Sequence, residues 1–134
     1  MIEEKLLQRI NLRLNKAEHI LTQTYPLLKD PRILLGVLEN INLAINDFIT
    51  YKLDKEYRTL DEEKKYNIFK NKFNEDIELI KEIKELWQRK KNSPVDFVKN
   101  DKLHLCSDEF DMRIISGKDM EKLLNKVKLL IKKE

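Results

Sequence analysis

Apolar residues recur every three or four positions along most of this chain, the spacing that lines side chains up on one face of a helix. Leu6, Ile10, Leu14, Ala17 and Leu21 form one such stripe and predict a helix over about 2–24. It is expected to end at Tyr25-Pro26, because proline disfavours helical geometry in the residue before it. Asp30 can then cap a second helix, over about 31–53, with Pro31 in its first turn. Tyr66, Phe69, Phe73, Ile77, Ile80, Ile83 and Trp87 carry a third stripe through about 91, read as two helices broken near Asn74. Thr59 and Glu62 have capping-box spacing ahead of it. Ser93-Pro94 with Asp96 suggests a short helical turn. A last helix over about 117–133, capped by Ser116 and Asp119, would bury Met120, Leu123, Leu124, Val127, Leu130 and Ile131.

One stretch changes period. In "DKLHLCSDEFDMRIIS" Leu103 and Leu105 alternate with His104 and Cys106, and Met112 and Ile114 with Arg113 and Ile115. Period two is the signature of a strand, and the acidic residues Asp108, Glu109 and Asp111 between the halves can turn the chain. The predicted fold is mainly α: a single domain over 1–134, a helical bundle of four to five helices with a small β-hairpin before the C-terminal helix.

The second helix should be the central one. Ile33, Val37, Leu38, Ile41, Ala44, Ile45, Phe48 and Ile49 fill one arc of roughly 160°. Glu39, Asn40, Asn42, Asn46, Asp47 and Thr50 fall on the opposite arc, with Gly36 and Leu43 among them. A fully solvated arc in so charged a chain would carry several Lys and Glu. This one is rich in Asn and nearly uncharged, which predicts that it is covered. The cover is either a second copy about a two-fold axis or another helix of the same chain. The candidate interface is Gly36, Glu39, Asn42, Leu43, Asn46 and Thr50.

Composition narrows the alternatives. Only two glycines and three prolines occur, too few for a fold of many hairpins. Charged residues make up 38% of the chain, well above the usual quarter, as long solvated helices require. A lone cysteine, Cys106, rules out an internal disulfide framework and favours a reducing compartment. The N-terminal segment has charges throughout, and no run approaches eighteen apolar residues, so the expectation is a soluble cytoplasmic protein with no membrane segment. No glycine-rich phosphate loop and no nucleophile elbow occur, and no cofactor or small-molecule ligand is expected. His104 and Cys106 would share a strand face, but only His19 could add a further nitrogen or sulfur ligand, so no metal is expected. The expected reading there is a small buried cysteine beside a surface histidine.

Net charge is +3, unevenly spread. Lys118, Lys122 and Lys126 step by four along the last helix, and Arg89, Lys90 and Lys91 end the third stripe. These two basic clusters could contact phosphates of RNA, because Lys and Arg release counterions from nucleic acid. No aromatic residues interleave them, so no base-stacking platform is expected.

Two segments, "KAEHILTQTYPLLKDPRILLGVLENINLAINDF" and "KKNSPVDFVKNDKLHLCSDEF", resemble a set of uncharacterised archaeal proteins. More distantly, the first two helices are similar to HEPN-type helical bundles. That resemblance implies a helical core, dimerisation and, in active members, metal-independent RNA cleavage by an Arg-x4–6-His motif. Arg13 and His19 fit the spacing, but they lie on the first helix, whereas the motif of that family lies late in the bundle. The expected function is therefore a non-enzymatic helical interaction protein, self-associating as a homodimer through the helix at 31–53. RNA binding by the basic last helix and a HEPN-like ribonuclease are the alternatives.

Overall fold

A computed structural model describes residues 2–73, 77–92, 95–106 and 112–132. It is a bundle of helices with a small three-stranded antiparallel sheet before the last helix, as the periodicities predict. The helices are α1 (Ile2–His19), a short α2 (Tyr25–Leu28), α3 (Leu34–Lys52), α4 (Glu62–Lys72), α5 (Ile77–Asn92) and α6 (Gly117–Lys132). The strands are β1 (Val95–Lys99), β2 (Lys102–Cys106) and β3 (Met112–Ile115), ordered β1-β2-β3.

The first helix does not stop at Pro26. A π-helical turn over Ile20–Thr24 joins α1 to α2, and the Tyr25 N–H reaches back to the Ile20 carbonyl. Proline has no N–H to donate and its ring crowds the carbonyl four residues back. A widened turn just upstream relieves both problems, so the chain stays helical to Leu28. Lys29 then closes the helix in the left-handed conformation, its N–H on the Tyr25 carbonyl at 2.7 Å.

Asp30 caps as expected: its side chain accepts from the Arg32 N–H at 3.0 Å, and Pro31 opens a 3-10 turn that leads into α3. The cap of α4 is Asp61 rather than Thr59. Its Oδ1 accepts from the Lys64 N–H at 2.8 Å. Ser116 and Asp119 form the reciprocal cap of α6, at 3.0 and 3.2 Å. The third stripe is two helices, and the proposed break at Asn74 lies outside the described residues.

Asp96 lies in a strand, not a helical turn, and Ser93-Pro94 lie outside the described residues. β1 pairs with β2 through a two-residue turn in which Asn100 and Asp101 both have positive φ, 54° and 61°. That geometry belongs to the mirror-image turn that matches strand twist. The expected pair, β2 and β3, is present in the register Leu103↔Ile115 to Cys106↔Met112. The acidic turn Asp108, Glu109, Asp111 lies outside the described residues. Leu103, Leu105 and Ile115 point into the core.

α3 is the centre of the bundle. It packs against α1, α4, α5 and α6, and Val37, Leu38, Ile41, Ala44 and Ile45 are fully buried. The 22-residue stretch Pro31–Lys52 contains an 18-residue window of mean hydropathy 1.3, long and apolar enough to cross a bilayer by length and composition. Here 56% of that window is buried inside the bundle. Phe69 of α4 seats edge-on against Phe48 of α3, ring centroids 6.3 Å apart, and holds α4 over one side of α3.

Candidate binding cleft over α3

Asn42, Asn46 and Thr50 are spaced by four, so they make one polar lane along α3. α4 and α5 of the same chain flank this lane and each sends a lysine onto it. Lys84 of α5 donates to the Asn42 Oδ1 at 3.3 Å and to the Asn46 Oδ1. Lys65 of α4 donates to the Thr50 hydroxyl at 2.8 Å and pairs with Glu62 at 3.1 Å. The Thr50 hydroxyl in turn donates to the Asn46 carbonyl at 3.0 Å. Asn42 is only 3% exposed and Lys65 6%.

Two further residues of the polar arc, Asp47 and Asn40, also have partners within the chain. Asp47 takes a two-pronged ion pair from Arg9 of α1, at 3.1 and 2.5 Å. That pairing raises the Arg9 pKa further above its ordinary value, chiefly through the hydrogen bond itself. The Asn40 amide donates back to the Gly36 carbonyl at 2.8 Å. A methyl group at Gly36 would meet Ile20 at 3.4 Å, an ordinary contact, so the glycine faces the π-helical turn of its own chain. Glu39 is exposed and Leu43 half-buried. Of the six candidate interface residues, Asn42, Asn46 and Thr50 are thus covered from within, and Glu39 and Leu43 remain on the open side.

A cleft of about 670 Å³ lies over the lane, between α3, α4 and α5. Its floor is Asn42, Asn46 and Lys84. Tyr66 and Trp87 form part of its walls, and Glu62, Glu63, Lys70, Lys81, Glu85, Gln88 and Lys91 complete its lining. Burial pushes the Lys84 pKa down to about 8; Glu62 works against that shift and Lys65 adds to it. Burial, followed by Glu85 and Glu78, raises the Tyr66 phenol. Lys84 makes no ion pair with any described residue. Its hydrogen-bond partners are neutral amides and Glu62, which favours its charge from a distance, is paired with Lys65, so a desolvated ammonium sits in the cleft without a carboxylate of its own.

The basic clusters do not merge. Lys118, Lys122 and Lys126 are all exposed on α6. Lys122 and Lys126 border a groove of about 300 Å³ that also holds Glu82, Asp119 and Arg113. Lys126 further faces Glu78 and Glu85 of α5. Lys118 lines a different hollow, beside Tyr25 and Asp101. At the end of α5, Arg89 is half-buried, Lys90 lies over the Trp87 ring at 5.6 Å and Lys91 lines the cleft over α3. Arg13 is half-buried and His19 exposed on α1, and their six-residue offset places them about 120° apart around the helix.

The strand histidine and cysteine reverse the expected burial. His104 is 9% exposed, because its ring stacks on Phe97 with centroids 4.8 Å apart. Its two nitrogens lie 3.3 Å from the Met112 sulfur and the Lys99 carbonyl. Cys106 is half-buried. The imidazole is thus a packed element of the sheet.

Lys84 and Lys65 escaped the sequence reading. A lysine on a charged amphipathic helix reads as solvated, and nothing local distinguishes Lys84 from Lys81. The usable signal was on the partner: an uncharged Asn lane needs a cover that can hydrogen-bond.

No family model, no curated protein and no solved structure matches this chain.

Proposed function

We propose that the protein is a non-enzymatic helical interaction protein that receives a partner in the cleft between α3, α4 and α5. The observation that supports this reading is Lys84. Holding a half-desolvated ammonium against neutral amides opposes folding, and an apolar side chain could cover α3 without that penalty. Polar groups that work against stability at the floor of a cleft are characteristic of binding sites. Trp87 and Tyr66 beside them add the aromatic surface favoured where proteins dock. A reducing, cytoplasmic setting fits the lone half-buried cysteine.

Self-association through α3 belongs to the same proposal, now narrowed to the open side that carries Glu39 and Leu43. RNA binding has weaker support, because Lys126 faces carboxylates of α5 and the basic residues are divided among separate hollows. The ribonuclease reading is weaker still, with Arg13 and His19 on different sides of α1.

A photo-crosslinking residue tests the proposal when placed at Gln88, on the cleft rim, and at Asn11, exposed on α1 as the control. Irradiation in cells should give a discrete adduct at Gln88 that is lost in Lys84→Met and absent at Asn11. An adduct of twice the chain mass identifies a second copy, and a nuclease-sensitive one identifies RNA. Equal labelling at both positions, or none at Gln88, contradicts a docking cleft.

A further inference from the structure

We propose that the floor of this cleft is a carboxylate subsite, in which Lys84 is the counter-charge for an acidic side chain of a protein partner. The inference rests on the reading of the cleft as a docking site and names what docks there.

The ammonium of Lys84 has three N–H donors. Asn42 and Asn46 accept two of them through their side-chain oxygens. The third has no acceptor among the described residues. The nearby Lys65 also has two partners, Thr50 and Glu62, but one of them is a carboxylate that neutralises it. Lys84 is therefore the cation on the lane that has no carboxylate in bonding contact among the described residues, and it sits where a cleft of about 670 Å³ gives an incoming group access. A desolvated cation attracts an anion much more strongly than a solvated one does, because little water screens the pair.

The surroundings favour a carboxylate over a phosphate. Among the described residues three carboxylates, Glu62, Glu63 and Glu85, and four lysines, Lys70, Lys81, Lys84 and Lys91, line the cleft, so a single negative charge balances the surplus. Of these lysines Lys70 is already laid over the Tyr66 ring at 5.1 Å, and the neighbouring Lys90 lies over Trp87. A carboxylate at the end of a short aliphatic arm would place its charge at Lys84 and its methylenes against those rings. Glutamate and aspartate side chains have this form.

The test follows the Lys84 side chain by NMR in the full-length protein labelled with carbon-13 and nitrogen-15 lysine. Butyrate, a single carboxylate on a short aliphatic arm, is the carboxylate probe, inorganic phosphate the alternative anion, and sodium chloride at matched ionic strength the screening control. Butyrate should perturb the Lys84 signal saturably and raise its pKa from about 8, while the Lys81 signal stays in place. The accompanying shift of the Trp87 indole should vanish in Lys84→Gln. Phosphate acting more strongly than butyrate overturns the carboxylate assignment. Equal responses to all three, or none, overturn the subsite. A crosslink at Gln88 with no butyrate response would leave the docking cleft standing and remove only the carboxylate.

Discussion

Lys84 of α5 donates to the side-chain oxygen of Asn42 of α3 across 3.3 Å, bridging residues 42 apart in sequence. The contact places a positive charge on a buried amide lane, and several measurable consequences follow from that placement.

The first is a stability that rises with pH. The Lys84 pKa is about 8 in the folded protein against 10.5 ordinarily. Between those values the unfolded chain holds more protons than the folded one, so stability increases with pH across that window. Below about 8 the penalty is fully present. Its size is on the order of 3 kcal/mol, from a shift of that extent at 1.36 kcal/mol per unit. Tyr66, whose raised pKa acts in the opposite sense, begins to count only near and above 10. Urea midpoints between pH 7 and 9.5 should rise for the wild type relative to Lys84→Met; parallel curves would refute the effect.

Lys65 should tune Lys84. Burial is the main cause of the low Lys84 value, and the Lys65 charge adds to it. Lys65→Met removes that repulsion and frees Glu62 from its pair. The Lys84 pKa should move upward yet stay below 10.5, because burial is untouched. NMR titration of Lys84 in the two proteins checks it, and an unchanged or lower value would contradict the arrangement.

Much of this fold was legible, and the exceptions have identifiable causes. The core arc of α3 followed from periodicity alone, as did the Ser116–Asp119 cap, because both depend on residues within a turn or two of each other. Pro26 misled because the rule for proline assumes a regular α-helix, and a π-helical turn upstream changes its premises. β1 was missed although "VDFVKNDKLHL" contains its signal: Asn100-Asp101 tolerates positive φ and is flanked by alternating apolar residues. The covered state of the polar arc could be inferred from its lack of charge. Which element covered it could not, because that depends on the long-range placement of α4 and α5, and lysine stems satisfy both solvated and buried sites.

The β1–β2 turn offers a separate check. Asp101 at φ 61° carries a Cβ in a conformation that glycine adopts freely. Asp101→Gly should stabilise the protein by a few tenths up to about 1 kcal/mol. Asn100→Val, a β-branched residue at φ 54°, should destabilise it by about 1–2 kcal/mol. Thermal melts of both variants read the difference, and a stabilising Val would contradict the turn.

Arg58 closes the far end of α3. It donates to the Leu53 and Tyr51 carbonyls at 3.2 and 3.3 Å and pairs with Glu3 of α1 at 3.2 Å. Arg58→Ala should cost about 1–3 kcal/mol, since carbonyls at a helix end lose a charged donor. Glu3→Gln, which removes only the exposed half of the ion pair, should cost clearly less. Equal losses in urea denaturation would place the stabilisation in the ion pair instead.

The central claim is that the polar lane of α3 is kept for binding rather than for folding. The denaturation midpoint at pH 7 of a chain carrying Asn42→Leu, Asn46→Leu and Lys84→Met tests it most directly. Replacing a buried polar network as a whole by apolar groups of similar size is neutral or stabilising, by about 1–4 kcal/mol, when the network serves something other than the fold. The account predicts a folded, helical protein at least as stable as the wild type. A loss of more than about 1 kcal/mol, beyond the ordinary scatter of surface substitutions, would show that Lys84 and its two asparagines hold the bundle together and would contradict the claim.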